Sequence, residues 1–347
     1  MVGKNILYYR LLAGMSQKEL AEKMELSGMA ISNYEKGLRN PDIETLRKLA
    51  EIFGVGVAKL LTPRSKNLLF EHGEFRKNSA LPVREQNRIR ESVEHYFSRF
   101  FTVVNTLGER VLPDAPQCHQ AERTGDVEKD QAVLRKWLSL PESGPVGNLI
   151  GHLENRGFLI LKITPGGRGF SGINGFVNGR PYIAIGGEVS PERQRSTIAH
   201  ELAHLCFRPP AGVSEKEEET WATALGGAFL FPAQDAIREL GVRRSAIGKD
   251  MVMTAAEYGI SMLLLVTRAK ILRIVSEDIY RRFMIGASRQ GWRTDEPSRI
   301  AEEQTTLMEQ FSCRAVVEGL ISVQKGAELL EKSYQDVERE CFLEGVS

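Results

Sequence analysis

The sequence predicts an α+β protein that is mostly α. Helix-capping signals recur along most of its 347 residues, alternation typical of strands is confined to the stretch 158–185, and one well-bounded helix follows that stretch directly. The expected order is five short helices over 1–62, a helical connector over 63–145, a domain with a small β-sheet and that helix over 146–240, and a helical region over 241–347.

In the first of these, Ser16 and Glu19 form a capping box that opens a helix through Met24, with Leu20 and Met24 on one face. A second short helix follows Ser27, and Gly37 and Pro41 mark a break. Asp42 suits the N-cap of a helix carrying Ile43, Leu46, Leu49, Ala50 and Phe53, which Gly54 ends. In the connector, helical patterns at 84–101 and 127–138 are interrupted by Pro113, Pro116, Pro141 and Pro145. Strands are predicted at 158–163, 172–177 and 181–185, with Asn178-Gly179 as the turn of a hairpin.

The helix after them has Ser190 at the N-cap, Pro191 in its first turn and Glu192 on the positive end of its dipole. Past the Pro209-Pro210 break, Ser214 and Glu217 form another capping box, opening a helix that runs to about Leu230 before Pro232. Helices at 258–275 and 309–339 are predicted beyond it. No internal repeat is present; the similarity of 16–22 to 322–328 is ordinary helix composition.

The 46 Lys and Arg against 45 Asp and Glu give a net charge of +1, so no global field draws the chain to nucleic acid or an acidic membrane; any such binding is local. The longest apolar run toward the C-terminus, 262–266, ends before Arg268 and Lys270 and is too short to span a bilayer. No signal-peptide pattern opens the chain, so a cytoplasmic location with no membrane partner is expected. Cys118, Cys206, Cys313 and Cys341 are scattered without a C-x-x-C pair, which predicts isolated reduced thiols rather than a disulfide framework.

The chemistry concentrates in His200-Glu201-Leu202-Ala203-His204. Four residues apart on a helix, the two imidazoles project from one face and can share a Zn²⁺ ion, with Glu201 placed as general base toward a water. A catalytic zinc needs a third protein ligand. His72, His95, His119 and His152 all lie upstream, so a carboxylate on the next helix is expected. Of Glu215, Glu217, Glu218 and Glu219, capping assigns Glu217 to the box and Glu215 to the first turn. Glu218 and Glu219 remain; the latter shares a face with Ala222, Thr223 and Gly226, small residues that allow close helix packing, the former with Trp221 and Leu225.

These residues resemble the ImmA/IrrE-type metallopeptidases, on the stretch 196–204, the hairpin before it, and the stretch from Glu219 to Phe229-Leu230-Phe231-Pro232. The resemblance implies a zincin-like domain in which the glutamate thirteen positions before the closing proline, Glu219, is the third ligand beside His200 and His204. It also implies Zn²⁺-dependent peptide hydrolysis with Glu201 as the catalytic residue. The chain departs from the family's common Glu-Ala-Asn with Trp221-Ala222-Thr223.

The first sixty residues resemble the Xre/Cro-type helix-turn-helix, through Ser16-Gln17-x-Glu19-Leu20-Ala21, Ile31-Ser32-x-Tyr34-Glu35-x-Gly37 and Arg39-Asn40-Pro41. The resemblance places Gly28, Met29, Ser32 and Asn33 toward the major groove and Gln17, Ser27 and Lys36 on phosphates, with Leu20, Ile31 and Tyr34 in the core. It implies an Arg10–Glu35 ion pair and binding as a homodimer to a duplex operator. Gly291-Trp292-Arg293-Thr294-Asp295-Glu296-Pro297 is similar to the region behind the peptidase in fused regulators of the two families, a sensing or dimerisation module. The function expected is a DNA-binding transcriptional regulator with a zinc endopeptidase that cleaves an Xre-type repressor. The alternatives are a regulator whose peptidase-like domain only senses, and a toxin–antitoxin or phage-defence regulator.

Overall fold

A computed structural model describes residues 2–64, 68–73, 81–164, 169–292 and 294–342; Arg293 of the C-terminal motif and parts of 63–145 lie outside these. Five helices come first: α1 (Val2–Leu12), α2 (Gln17–Met24), α3 (Gly28–Glu35), α4 (Ile43–Phe53) and α5 (Val57–Leu61). Then follow strand β1 (Phe70–His72), the long helix α6 (Val83–Leu107), α7 (Val127–Trp137) and α8 (Leu149–Asn155). Strands β2 (Leu159–Ile163), β3 (Gly172–Val177) and β4 (Arg180–Gly186) lead into α9 (Pro191–Cys206) and α10 (Glu215–Leu230). The chain ends with α11 (Ala233–Leu240), α12 (Lys249–Tyr258), α13 (Met262–Ile271), α14 (Glu277–Arg289), α15 (Leu307–Val317), α16 (Val323–Leu330) and α17 (Tyr334–Cys341). The fold is mostly helical with one small sheet, as the sequence predicts.

Two compact units result. The first comprises Met1–Phe70, Asn78–Val111 and Met308–Ser347, the second Glu71–Lys77 and Leu112–Leu307. Residues 63–145 and 241–347 thus each contribute to both. Within the first unit, α1–α5 enclose Ile6, Leu20, Ile31, Leu49 and Leu60, all fully buried. The capping residues act as their types dictate: Ser16 and Glu19 make a reciprocal box, Ser27 accepts from Ala30 N, Asp42 accepts from Thr45 N, and Gly54 closes α4 at φ 65°.

The sheet of the second unit has the order β1-β3-β4-β2. β3 and β4 form the antiparallel hairpin, with Asn174 opposite Ile183, through a turn whose Asn178 and Gly179 both have positive φ. β2 runs parallel to β4, with Leu159 opposite Tyr182; this pairing and β1 lie outside what the sequence predicted. Ile183 and Ile185 of β4 share a core with Ile198 and Leu202 of α9 and with Leu225 and Phe229 of α10. The buried Arg135 of α7 donates to Phe229 O, Pro141 O and Gly144 O, and so satisfies a carbonyl at the end of α10.

Three expectations are corrected. The helix predicted over 258–275 is shorter: Tyr258 ends α12, Gly259 takes the left-handed conformation, and Ser261 caps α13, which ends at Ile271. The helix predicted over 309–339 is three, broken at Gly319 (φ 69°) and at Glu331 (φ 57°), with Ser322 and Ser333 as new N-caps. Cys313 and Cys341 are joined in a disulfide, so these two are not isolated thiols; Cys118 and Cys206 are. Among the described residues no single helix is long and apolar enough to cross a membrane.

Candidate metal centre and nucleic-acid interface

Helix α9, which carries His200 and His204, is fixed at its start. Ser190 accepts from Arg193 N, and Pro191 supplies an N-terminal position that needs no amide partner. Glu192, almost fully buried, accepts from Ser298 Oγ at 2.9 Å and Ile300 N at 3.1 Å. Arg195 donates to Gly259 O, Gly147 O and Val146 O and pairs with Glu303. The segment after the Gly291–Pro297 motif is therefore a strap over the first turns of α9. Glu296 within that motif accepts from Met262 N at 3.1 Å, at the start of α13. Burial, and then the charge of Glu192, push its carboxyl up to about 7 against the opposing hydrogen bond.

Further along α9, the facing helix α10 comes unusually near. A Cβ on Gly226 would lie 3.1 Å from His200 N and 3.2 Å from Ala199 C, tighter than ordinary contact, so a larger residue would press the two backbones apart by a few tenths of an ångström. That approach brings Glu219 to the histidines. His200, His204 and Glu219 each offer a ligand atom, and these atoms lie within 4.8 Å of one another. The two Nε2 atoms are 3.2 Å apart; Glu219 Oε2 is 3.2 Å from His200 Nε2, and Glu219 Oε1 is 3.5 Å from His204 Nε2.

The other side of each imidazole is held by protein. His204 Nδ1 donates to Glu218 Oε1 at 3.3 Å, and His200 Nδ1 stands 3.3 Å from Thr223 Oγ1. With both Nδ1 atoms engaged, both Nε2 atoms are turned toward Glu219, the arrangement that directs lone pairs at a common cation. Zn–N and Zn–O bonds of about 2.0–2.1 Å in tetrahedral geometry place ligand atoms roughly 3.3 Å apart, so the donor set fits zinc. Burial works against a charged His204. The hydrogen bonds to Glu218 and Glu219 and the charge of Glu201 outweigh it and hold its pKa up at about 9.

Glu201 is held from the sheet. Asn174 Nδ2 on β3 donates to its Oε2 at 2.7 Å, and a Cβ at Gly172, two residues earlier on β3, would lie 2.4 Å from Thr197 Cγ2 of α9, so glycine there lets β3 approach the helix that carries Glu201. Glu218 is fixed in turn by Arg123, whose guanidinium lies 3.6 Å from the centre of the Trp221 ring. The hydrogen bond from His204, and then Arg123, hold the Glu218 carboxyl below the ordinary range in spite of its burial. Trp221 donates its indole N–H to Asp130 Oδ2 at 3.2 Å. Sequence reasoning missed Asn174, Thr223, Arg123 and the role of Glu218, because each depends on a contact between separate elements.

In the first unit, Arg10 and Glu35 form a buried two-pronged pair at 2.5 and 3.0 Å. Gln17 Nε2 donates to Glu35 Oε2 at 2.6 Å, so this side chain ties α2 to α3. Ser27, Gly28, Met29 and Lys36 are exposed, and Gln17, Ser32 and Asn33 are half-buried. Met29 is 70% exposed, a large apolar side chain standing in solvent at the start of α3. Leu20, Ile31 and Tyr34 are buried.

Two family models match the chain: a helix-turn-helix over residues 6–60 and an IrrE N-terminal-like domain over residues 164–270. The HTH-type transcriptional regulator ImmR of Bacillus subtilis is 42% identical over 60 residues, covering 17% of this chain and 47% of that protein. An HTH-type transcriptional regulator of Sinorhizobium fredii, y4dJ, is 36% identical over 63 residues, 18% of this chain and 82% of the other. The cryptic phage CTXphi transcriptional repressor RstR of Vibrio cholerae is 31% identical over 68 residues, 20% of this chain and 61% of the other. The match thus spans about half of the first relative.

Proposed function

Because the chain belongs to the Xre-type helix-turn-helix transcriptional regulators and also carries an IrrE N-terminal-like peptidase domain, we propose that it is a DNA-binding regulator whose second unit is a zinc endopeptidase. The observation that carries the enzymatic half is the triangle of His200, His204 and Glu219 with Glu201 held beside it by Asn174. Bound there, Zn²⁺ supplies a Lewis acid that polarises the scissile carbonyl and acidifies a water. His200, His204 and Glu219 would hold the ion, and Glu218 and Thr223 would fix the two rings that do so. Glu201 accepts a proton from the attacking water and returns it to the leaving amine nitrogen. Asn174 keeps one carboxylate oxygen of Glu201 in place, so the general base needs no reorganisation.

The substrate we assign is an Xre-type repressor protein, and the DNA partner a duplex operator bound by a homodimer through α3, in the cytoplasm. Ser32, Asn33 and Met29 face the bases, with Met29 suited to thymine methyl groups, while Ser27 and Lys36 meet phosphates. The test is cleavage of candidate repressors, beginning with the product of a neighbouring small regulator gene, by the wild-type protein and by Glu201→Gln. Cleavage by the first alone supports the proposal; normal regulation by the variant in cells favours a sensor that does not cut.

A further inference from the structure

The first unit carries a pair of cysteines whose position gives them consequences for the DNA-binding helices. The Cys313–Cys341 bond ties α15 to α17 across 28 residues of sequence that contain all of α16. Among the described residues, Val316 of α15, Ala327 of α16 and Val337 of α17 form a small buried cluster, with Ile321, Val323, Leu330 and Cys341 packed against it, so the disulfide reinforces a core of few side chains. Both cysteines are half-buried, within reach of small reagents. Burial pushes the other two thiols, Cys118 and Cys206, up to about 12, which leaves them poor nucleophiles at neutral pH.

What the bond encloses bears directly on α6. Glu331, at the end of α16, accepts from His95 Nε2 at 3.1 Å and pairs with Arg99 at 3.0 Å, and Arg99 donates to Leu329 O at 2.6 Å. The opposite face of His95 is stacked on Tyr8 of α1, ring centres 4.0 Å apart and planes within 13°. One turn away, Lys4 of α1 pairs with Glu91 of α6 at 2.9 Å. A continuous set of contacts therefore runs from the disulfide loop through Glu331 and His95 to the first helix of the DNA-binding domain. DNA is handled where thiols are kept reduced, and disulfides that form there are characteristically transient and regulatory.

We propose that Cys313 and Cys341 are a reversible thiol–disulfide site whose oxidation locks α15–α17 onto α6 behind the DNA-binding helices. The oxidant is a low-molecular-weight disulfide of the glutathione class. One cysteine thiolate attacks a sulfur of that disulfide and releases one thiol; the second cysteine thiolate then attacks the mixed disulfide and releases the other. Two electrons pass to the external disulfide, and the two cysteine protons end on the two thiols released. The regulatory meaning rests on the DNA-binding reading above, but the structural switch does not.

The full-length protein is equilibrated with glutathione at graded ratios of reduced to oxidised form, the Cys313–Cys341 bond is quantified by alkylation and peptide mass, and amide hydrogen exchange is followed. The bond is expected to open and close within the range of cytoplasmic ratios. Opening is expected to speed exchange about tenfold or more in α15–α17 and measurably in α6 around His95 and in α1. Cys313→Ser should match the reduced wild type at every ratio. A bond that survives excess reduced glutathione would make it a permanent staple and overturn the proposal. So would interconversion that leaves exchange in α6 and α1 unchanged, or a Cys313→Ser protein that still responds. Because no DNA is present, failure here is distinguishable from failure of the DNA-binding reading.

Discussion

Glu218 takes Nδ1 of His204 at 3.3 Å, while its chain neighbour Glu219 lies 3.5 Å from Nε2 of the same ring. Consecutive helical residues diverge by about 100° around the axis, yet the imidazole is broad enough to meet both carboxylates on its two nitrogens. In the proposed zinc site the pair would divide the work: Glu219 would serve the ion, Glu218 the ring that binds it. Arg123, anchored over Trp221, keeps Glu218 in the second role.

Exchanging the two roles separates them by experiment. Glu219→Ala removes a ligand and is expected to abolish stoichiometric zinc. Glu218→Gln keeps all three ligands and should weaken zinc about 10–100-fold, the usual effect of losing a partner behind a ligand. Competition with a chromogenic chelator reads both; equal losses in the two variants would contradict this division.

Asn174 touches Glu201, the proposed general base, and would act on it rather than on the ion. Asn174→Ala should leave zinc content unchanged while lowering kcat for peptide cleavage about tenfold or more, since Glu201 loses its anchor. Loss of zinc in this variant would show that Asn174 instead supports the metal helix.

The close approach of α9 and α10 predicts a steric cost at Gly226. The Cβ of Gly226→Ala would press on the backbone at His200, and backbone moves less readily than a flexible side chain. A destabilisation of about 1–3 kcal/mol is expected, together with weaker zinc binding because Glu219 moves off with its helix. Calorimetry with and without a chelator measures both effects.

Glu296 gives a pH dependence of definite sign. Its folded pKa is raised from 4.5 to about 7, so the folded state favours the protonated acid. That contribution is full below pH 4.5 and is lost as the pH rises through 7. Glu296→Gln keeps an acceptor for Met262 N and should show a flatter profile, melting about 2–4 °C above wild type at pH 8. Parallel profiles for the two proteins would contradict it.

On the DNA side, Lys36→Ala is expected to weaken binding to all duplexes alike and reduce the salt slope by about one, whereas Met29→Ala should change sequence preference. Glu35→Ala is different in kind. It leaves Arg10 buried without its partner and should cost about 3–5 kcal/mol of stability, read by denaturant unfolding.

Much of this was legible in the chain because it is local. Capping by Ser16, Ser190 and Ser214 depends on residues three positions away, and the facing of His200 and His204 depends on helical pitch alone. The choice between Glu218 and Glu219 was not settled by spacing, since both reach the same imidazole; the family resemblance pointed to Glu219. The parallel β2–β4 pairing, the Asn174–Glu201 hydrogen bond and the Cys313–Cys341 bond join distant segments, and no local signal encodes them. Glu331 at positive φ is a further case: a non-glycine residue that breaks a helix leaves little trace in sequence.

The most direct measurement combines zinc content by elemental mass spectrometry with repressor cleavage for the wild type and Glu201→Gln. One zinc per chain in both proteins, with cleavage by the wild type alone, is the expected result. Wild-type protein that retains no zinc after dialysis, or a Glu201→Gln variant that cleaves as fast as wild type, would contradict a zinc peptidase built on His200, His204 and Glu219.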